Sequence, residues 1–262
     1  MKFLGKTWFV MLAGGLLLLL LIEGVFILTN NPVYLPSTIL LGAFLVPVVF
    51  TTYLYERLPV MEIPLPTMAL CFVGGGVIGT ATAGFLEYDV LSSLGSVPLL
   101  FVGFLEEVAK LVFPLFFYFA WRYRSEAAGI AIGVSTAMGF AAFETMGYAF
   151  TTVLHSREDL SALNEVLLER GLASPAAHAA WTGLVAAVLW RERLHSGRIS
   201  FNAPVVGAFL IAVALHSLWD FLNFLSRPTP AASVALDLAS LGVALASLAL
   251  LILRIREAER NL

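Results

Sequence analysis

The stretch VPLLFVGFLEEVAKLVFPLFFYFAW, Val97 to Trp121, is long and apolar enough to cross a bilayer, yet it carries Glu106, Glu107 and Lys110 near its middle. About 20 predominantly apolar residues span the roughly 30 Å of hydrocarbon. A charged residue at the centre of such a helix costs roughly 2.5 to 3.5 kcal/mol on insertion scales, and a leucine or phenylalanine returns only about 0.3 to 0.6 kcal/mol. Three charges so close together are tolerated only where they face protein or water. This helix therefore belongs inside a bundle of others.

The rest of the chain supplies the bundle. Of its 262 residues 60% are hydrophobic and 13% charged, with a mean hydropathy of +0.91, whereas soluble domains are about 25% charged. Apolar runs recur near residues 8–28, 36–55, 66–86, 97–121, 126–153, 174–190, 203–225 and 232–253. The expected fold is an all-α transmembrane bundle of about eight helices, one integral membrane domain over residues 1–262. The run from Trp8 to Leu28 follows Lys2 and Lys6 as a secretory signal would, but it is too long and lacks a small-x-small cleavage site, so it reads as a retained span. The longest polar break, His155 to Ala173, reads as a connector, a solvated loop or short interfacial helix.

Eleven of the 15 cationic residues, among them Lys6, Arg57, Arg122, Arg193 and Arg254, fall on one side of this topology. Only Arg157, Arg170 and Arg227 fall on the other, and Lys110 lies within a span. Cytoplasmic loops are enriched in Lys and Arg, so both termini are expected in the cytoplasm, in a multi-pass protein of the cell membrane. The net charge of −3 offers no basic surface for nucleic acid. Cys71, a single cysteine inside an apolar run, reads as a buried hydrophobe. Gly75, Gly79 and Ala83, and likewise Gly129 and Gly133, recur at four-residue spacing and predict close helix packing within the bundle.

Helical phase turns the charged residues together. At about 100° per residue, Lys110 falls near 40° from Glu106, Pro114 near 80° and Glu107 at about 100°. Pro114 cannot donate to the carbonyl of Lys110 and is expected to open or bend the helix there. The next run places Glu144 on a face with Ala141, Gly147 and Tyr148; a later one opens with His178 near Trp181 and Thr182; another aligns His216, Asp220 and Asn223. Counting about 1.5 Å per residue from the outer ends puts Glu106, Glu107, Glu144 and His216 about 12 to 13 Å deep, and His178 and Asp220 about 7 Å deep. A structural Glu–Lys pair or His–Asp bond would explain any one of these, but unrelated structural pairs have no reason to share one level. His155 and His195 fall in polar breaks and read as solvated.

Taken in order, Glu106-Glu107-x-x-Lys110, Phe140-x-x-x-Glu144, His178-Ala179-x-Trp181-Thr182 and His216-x-x-x-Asp220-Phe221 resemble the PrsW family of intramembrane proteases, in the superfamily of CAAX prenyl proteases and bacteriocin-processing enzymes. The resemblance covers about residues 97–225; the helices over 8–86 and 232–253 lie outside it. It implies that an activated water attacks a peptide bond of a single-span membrane protein near the extracytoplasmic face, and family members are associated with cutting membrane-anchored anti-sigma factors. By the same resemblance Glu106 is expected as general base, with Glu107 orienting Lys110 or holding the water, two roles that can be exchanged. His178 and His216 with Glu144 or Asp220 are candidate ligands for zinc. The alternative is a metal-free site in which His216, oriented by Asp220, stabilises the oxyanion. A proton- or ion-coupled transporter is the rival from another class, since buried carboxylates and histidines also build relays, although no second copy of the Glu-Glu-x-x-Lys segment marks an internal repeat.

Overall fold

The structure, a computed structural model, describes residues 6–58, 63–95, 98–156, 159–226 and 229–260. Lys2, Arg157 and Arg227, used above for orientation, and Val97, which opens the fourth run, lie outside the described residues. The chain is all helix: α1 Thr7–Thr29, α2 Leu35–Arg57, α3 Leu65–Leu94, α4 Leu99–Phe119, α5 Glu126–Ser156, α6 Leu160–Ala173, α7 Ala180–Ser196, α8 Ala203–Phe224 and α9 Pro230–Arg260. Among the described residues, seven helical stretches are long and apolar enough to cross a membrane, α6 and α7 counting as one. The eighth helix of the bundle is α4, set apart by its three ionisable residues.

α5 is the axle. Its most apolar stretch is almost wholly buried, whereas that of α1 at the periphery is almost wholly exposed, as a lipid-facing helix should be. Small residues allow α5 to sit so deep. A Cβ added to Gly139 would lie 1.8 Å from the carbonyl oxygen of Phe72 on α3, and one on Gly133 would lie 2.5 Å from Ala186 Cβ on α7. Gly75 meets Thr136 and Gly79 meets Phe140 in the same interface, so the small-residue spacing serves packing between neighbouring helices of this chain. Cys71 is buried in that core.

Two elements differ from the sequence reading. The break before Ala173 is no plain connector: α6 buries Leu163 and Leu167 against Ile39 and Ala43 of α2 and runs through one π-helical turn, Pro175–Ala179, into α7. Apolar residues spaced by four gave α6 its buried stripe, but its many charges masked it. Pro114, expected to open the helix, is accommodated inside an unbroken α4.

Several arginines are held by contacts at one end of the bundle. Arg57 meets Glu259, Arg191 meets Glu192, and Arg254 bonds Glu126 and Glu257. Arg193 is buried: it donates to the carbonyl oxygens of Tyr118 and Tyr123 and packs against the rings of Tyr118, Trp121 and Trp190. These contacts tie the ends of α2, α4, α7 and α9 and the start of α5 into one polar cap, away from the mid-membrane charges.

Candidate active site

Glu107 is the fixed point of the buried charged cluster. It is fully buried, and its Oε1 accepts from Lys110 Nζ at 2.9 Å and from His216 Nδ1 at 2.9 Å. Its Oε2 accepts from Thr182 Oγ1 at 3.1 Å. One carboxylate thus joins α4, α7 and α8. A buried carboxylate is stable only when its lone pairs are used this fully.

One residue earlier, about 100° around the helix, Glu106 is handled differently. Its Oε2 accepts from Lys110 Nζ at 3.1 Å and lies 3.6 Å from His216 Nε2. The side chain reaches a cavity of about 650 Å³ also lined by Glu144, His178, His216, Asp220 and Arg170. Lys110 is itself fully buried, held between the two carboxylates and over the face of Phe140 at 4.5 Å.

His216 is clamped from three directions. Beyond its bond to Glu107, its Nε2 lies 3.5 Å from Asp220 Oδ2, and its ring stacks on Trp181 at 4.4 Å with 20° between planes. Trp181 is held in turn by a bond from its indole N–H to Ser247 Oγ on α9. The π-helical turn brings in His178, whose ring lies 5.9 Å from that of His216 and whose Nε2 is 3.4 Å from Glu144 Oε2. Insertion of a π turn re-aims side chains within a helix and is frequent at functional sites.

All seven residues singled out from the sequence, Glu106, Glu107, Lys110, Glu144, His178, His216 and Asp220, thus converge on one region. Ligand atoms of Glu106, Glu144 and His178 lie within 4.8 Å of one another, the one such group among the described residues. This grouping differs from the sequence-based ligand set: Glu106 joins it, while His216 is engaged by Glu107 through Nδ1 and by Asp220 at Nε2. His178 Nδ1 is buried without a hydrogen-bond partner in the protein. The imidazole of His178 with the carboxylates of Glu106 and Glu144 offers the nitrogen and oxygen donors that suit zinc.

Three contributors escaped the sequence reading. Arg170, assigned to the polar break, reaches Glu144 Oε2 with Nη2 at 2.8 Å and covers the ring of Tyr148 at 4.0 Å. Glu87, just past the third apolar run, lines the cavity with Glu106 and Glu144 because α3 extends a further two turns. Thr182 was visible in its segment without a partner. The signal for Arg170 was its place one turn before the helix of His178, legible only once α6 is known to continue into α7.

Residues 63–252 match the family described as PrsW family intramembrane metalloprotease. No curated protein and no solved structure matches the chain. The match covers well over half of the chain and spans every residue of the cluster, and its intramembrane character agrees with seven apolar helices surrounding buried charges. The chain belongs to the PrsW family of intramembrane proteases.

Proposed function

We propose that this protein cuts a peptide bond of a single-span membrane protein near the extracytoplasmic face of the cell membrane, with both of its own termini in the cytoplasm. The observation that carries the reading is the single cavity on which Glu106, Glu144, His178, His216 and Asp220 converge. Residues 1–262 act as one membrane domain, with the protease-like core over 97–225 and the outer helices packed around it.

Glu106 takes a proton from the attacking water. It is the member of the Glu106–Glu107 pair that reaches the cavity, whereas Glu107 is enclosed and engaged by three donors. Glu107 is a positioning residue: it fixes Lys110 and sets the ring plane of His216. Lys110 places positive charge beside Glu106, which keeps that carboxylate oriented and offsets negative charge as the reaction proceeds. With Nδ1 donating to Glu107, the protonated His216 ring presents Nε2 to the cavity, where it can donate to the oxygen of the scissile carbonyl; Asp220 balances its charge.

Glu144 and His178, close to Glu106, would hold the family's metal, which leaves Glu106 to take the proton from water, and zinc fits their oxygen and nitrogen donors. When bound, zinc supplies a Lewis acid that polarises the scissile carbonyl and acidifies water. Arg170 anchors Glu144 from α6, so this corner is preset by the protein.

The test is reconstitution of the purified protein in vesicles with a panel of single-span membrane proteins, anti-sigma factors first, and location of the cut by mass spectrometry. Cleavage within a few residues of the extracytoplasmic flank is the expected result. A protein that leaves the whole panel intact, or cuts at the cytoplasmic flank, overturns the reading.

A further inference from the structure

α3 and α5 pack tightly toward the polar cap and part toward the other end of the bundle. A Cβ added to Gly76 would fall 2.6 Å from the backbone of Gly139, and one on Gly79 would fall 3.0 Å from Phe140. Farther along the two helices, a Cβ on Gly84 or Gly147 meets nothing within 4 Å among the described residues. The parting leaves a cleft of about 370 Å³. Its α3 wall is one helical face, Thr80, Ala83, Gly84 and Glu87, and its α5 wall another, Phe140, Glu144, Gly147 and Thr151. Gly84, Gly147 and Thr151 are exposed, so the cleft opens on the side of the bundle. On its inward side it meets the catalytic cavity, because Glu87, Glu106, Glu144 and Tyr148 line both spaces. Glu106 is 7% exposed, and its contacts with Lys110 and His216 both fall on Oε2, which leaves Oε1 to the cavity side.

We propose that this cleft is the substrate channel, which takes the unwound stretch of the substrate's span that adjoins the bond being cut. The inference rests on the protease reading above. Phe140 and Thr151 stand about 16 Å apart along α5 at about 1.5 Å per residue, the length of about five extended residues. A volume of about 370 Å³ spread over that length makes a channel roughly 5 Å across, which admits an extended chain and turns away a helix of about 10 Å diameter. Non-helical backbone at membrane depth is tolerated only where its polar groups find partners. Glu87 offers an acceptor for the entering N–H groups, and the Tyr148 hydroxyl a donor for a carbonyl. The channel thus leads a chain sideways from the lipid to the carboxylate of Glu106.

The test fills the cleft without disturbing the packing. Gly84→Leu and Gly147→Leu grow into open space, and Gly14→Leu, at an exposed and equally open position on peripheral α1, is the control. In vesicles with a single-span substrate, the two cleft variants are expected to lower kcat/KM at least about tenfold, the scale of a misplaced methylene in a pocket, with unfolding temperature unchanged; Gly14→Leu cuts as wild type does. Cleavage by both cleft variants at the wild-type rate overturns the channel and leaves the protease reading standing. Disulfide crosslinking of Gly84→Cys or Gly14→Cys to substrates carrying one cysteine near the extracytoplasmic end of the span reads occupancy without turnover, Cys71 being buried. Crosslinking at Gly84→Cys alone, in a protein that cuts nothing, would sustain the channel and sink the protease reading; equal crosslinking at the two positions, or none at Gly84→Cys, would overturn the channel.

Discussion

His216 Nδ1 and Lys110 Nζ share a single acceptor, Oε1 of Glu107, each at 2.9 Å. That shared oxygen couples the α8 imidazole to the α4 charge pair and divides the neighbouring glutamates into an enclosed one and one facing the cavity.

Glu107→Ala removes the acceptor of three buried donors and leaves Lys110 with Glu106 alone. Breaking a buried ion pair by deleting one partner costs about 3 to 5 kcal/mol. The variant should unfold at distinctly lower temperature in detergent, whereas Glu106→Gln, which keeps an acceptor for Lys110 and touches the cavity, should unfold close to wild type. Thermal unfolding followed by intrinsic fluorescence distinguishes the two; equal losses would contradict the division of roles.

Trp181 does two things: it stacks on His216 and bonds Ser247. Trp181→Phe keeps a ring beneath the imidazole and loses one hydrogen bond, a cost of about 1 kcal/mol, so cleavage should persist. Trp181→Ala empties the site beneath His216, costing about 3 to 5 kcal/mol and most of the activity. Similar activity in both variants would show that the stack does not position the ring.

Gly139→Ala should be severely destabilising, because its Cβ would fall 1.8 Å from a backbone oxygen of α3, which cannot move aside as a side chain can. Gly147→Ala on the same helix meets nothing within 4 Å and should gain up to about 1 kcal/mol of helix propensity. Expression and unfolding temperature of the two variants provide the comparison.

The donors of Glu144 and His178 beside Glu106 predict about one zinc per chain in purified protein, lost in His178→Ala and reduced in Arg170→Ala, which frees Glu144 from its anchor. Elemental analysis after gel filtration measures it. Full activity after chelation, with under about a tenth of chains holding metal, would favour His216 and Asp220 acting alone at the carbonyl oxygen.

Much of this was legible in the sequence where the information lay along one helix. Glu106, Glu107 and Lys110 share a face of α4 by helical phase, and they do meet; His216 and Asp220 are one turn apart on α8 and meet as well. What one helix presents to another was not legible. Phase cannot say that Glu107 rather than Glu106 turns into the packed interface with Thr182, because the rotation of α4 is set by its neighbours. Arg170 was hidden because its helix carries more charge than a span normally does, and the π turn that joins it to His178 has no periodic signature. Pro114, expected to open or bend its helix, lies inside a continuous α4. The membrane side of each terminus is an expectation from the Lys and Arg count.

The central claim is that Glu106 takes the proton from water while Glu107 holds the site together. The most direct measurement is single-turnover cleavage of one single-span substrate in vesicles by wild type and Glu106→Gln, with unfolding temperature recorded on the same preparations. The expected result is a folded Glu106→Gln protein that still binds substrate and cuts at least about a hundredfold more slowly, the range of a lost general base. Cleavage by that variant at close to the wild-type rate would contradict the account.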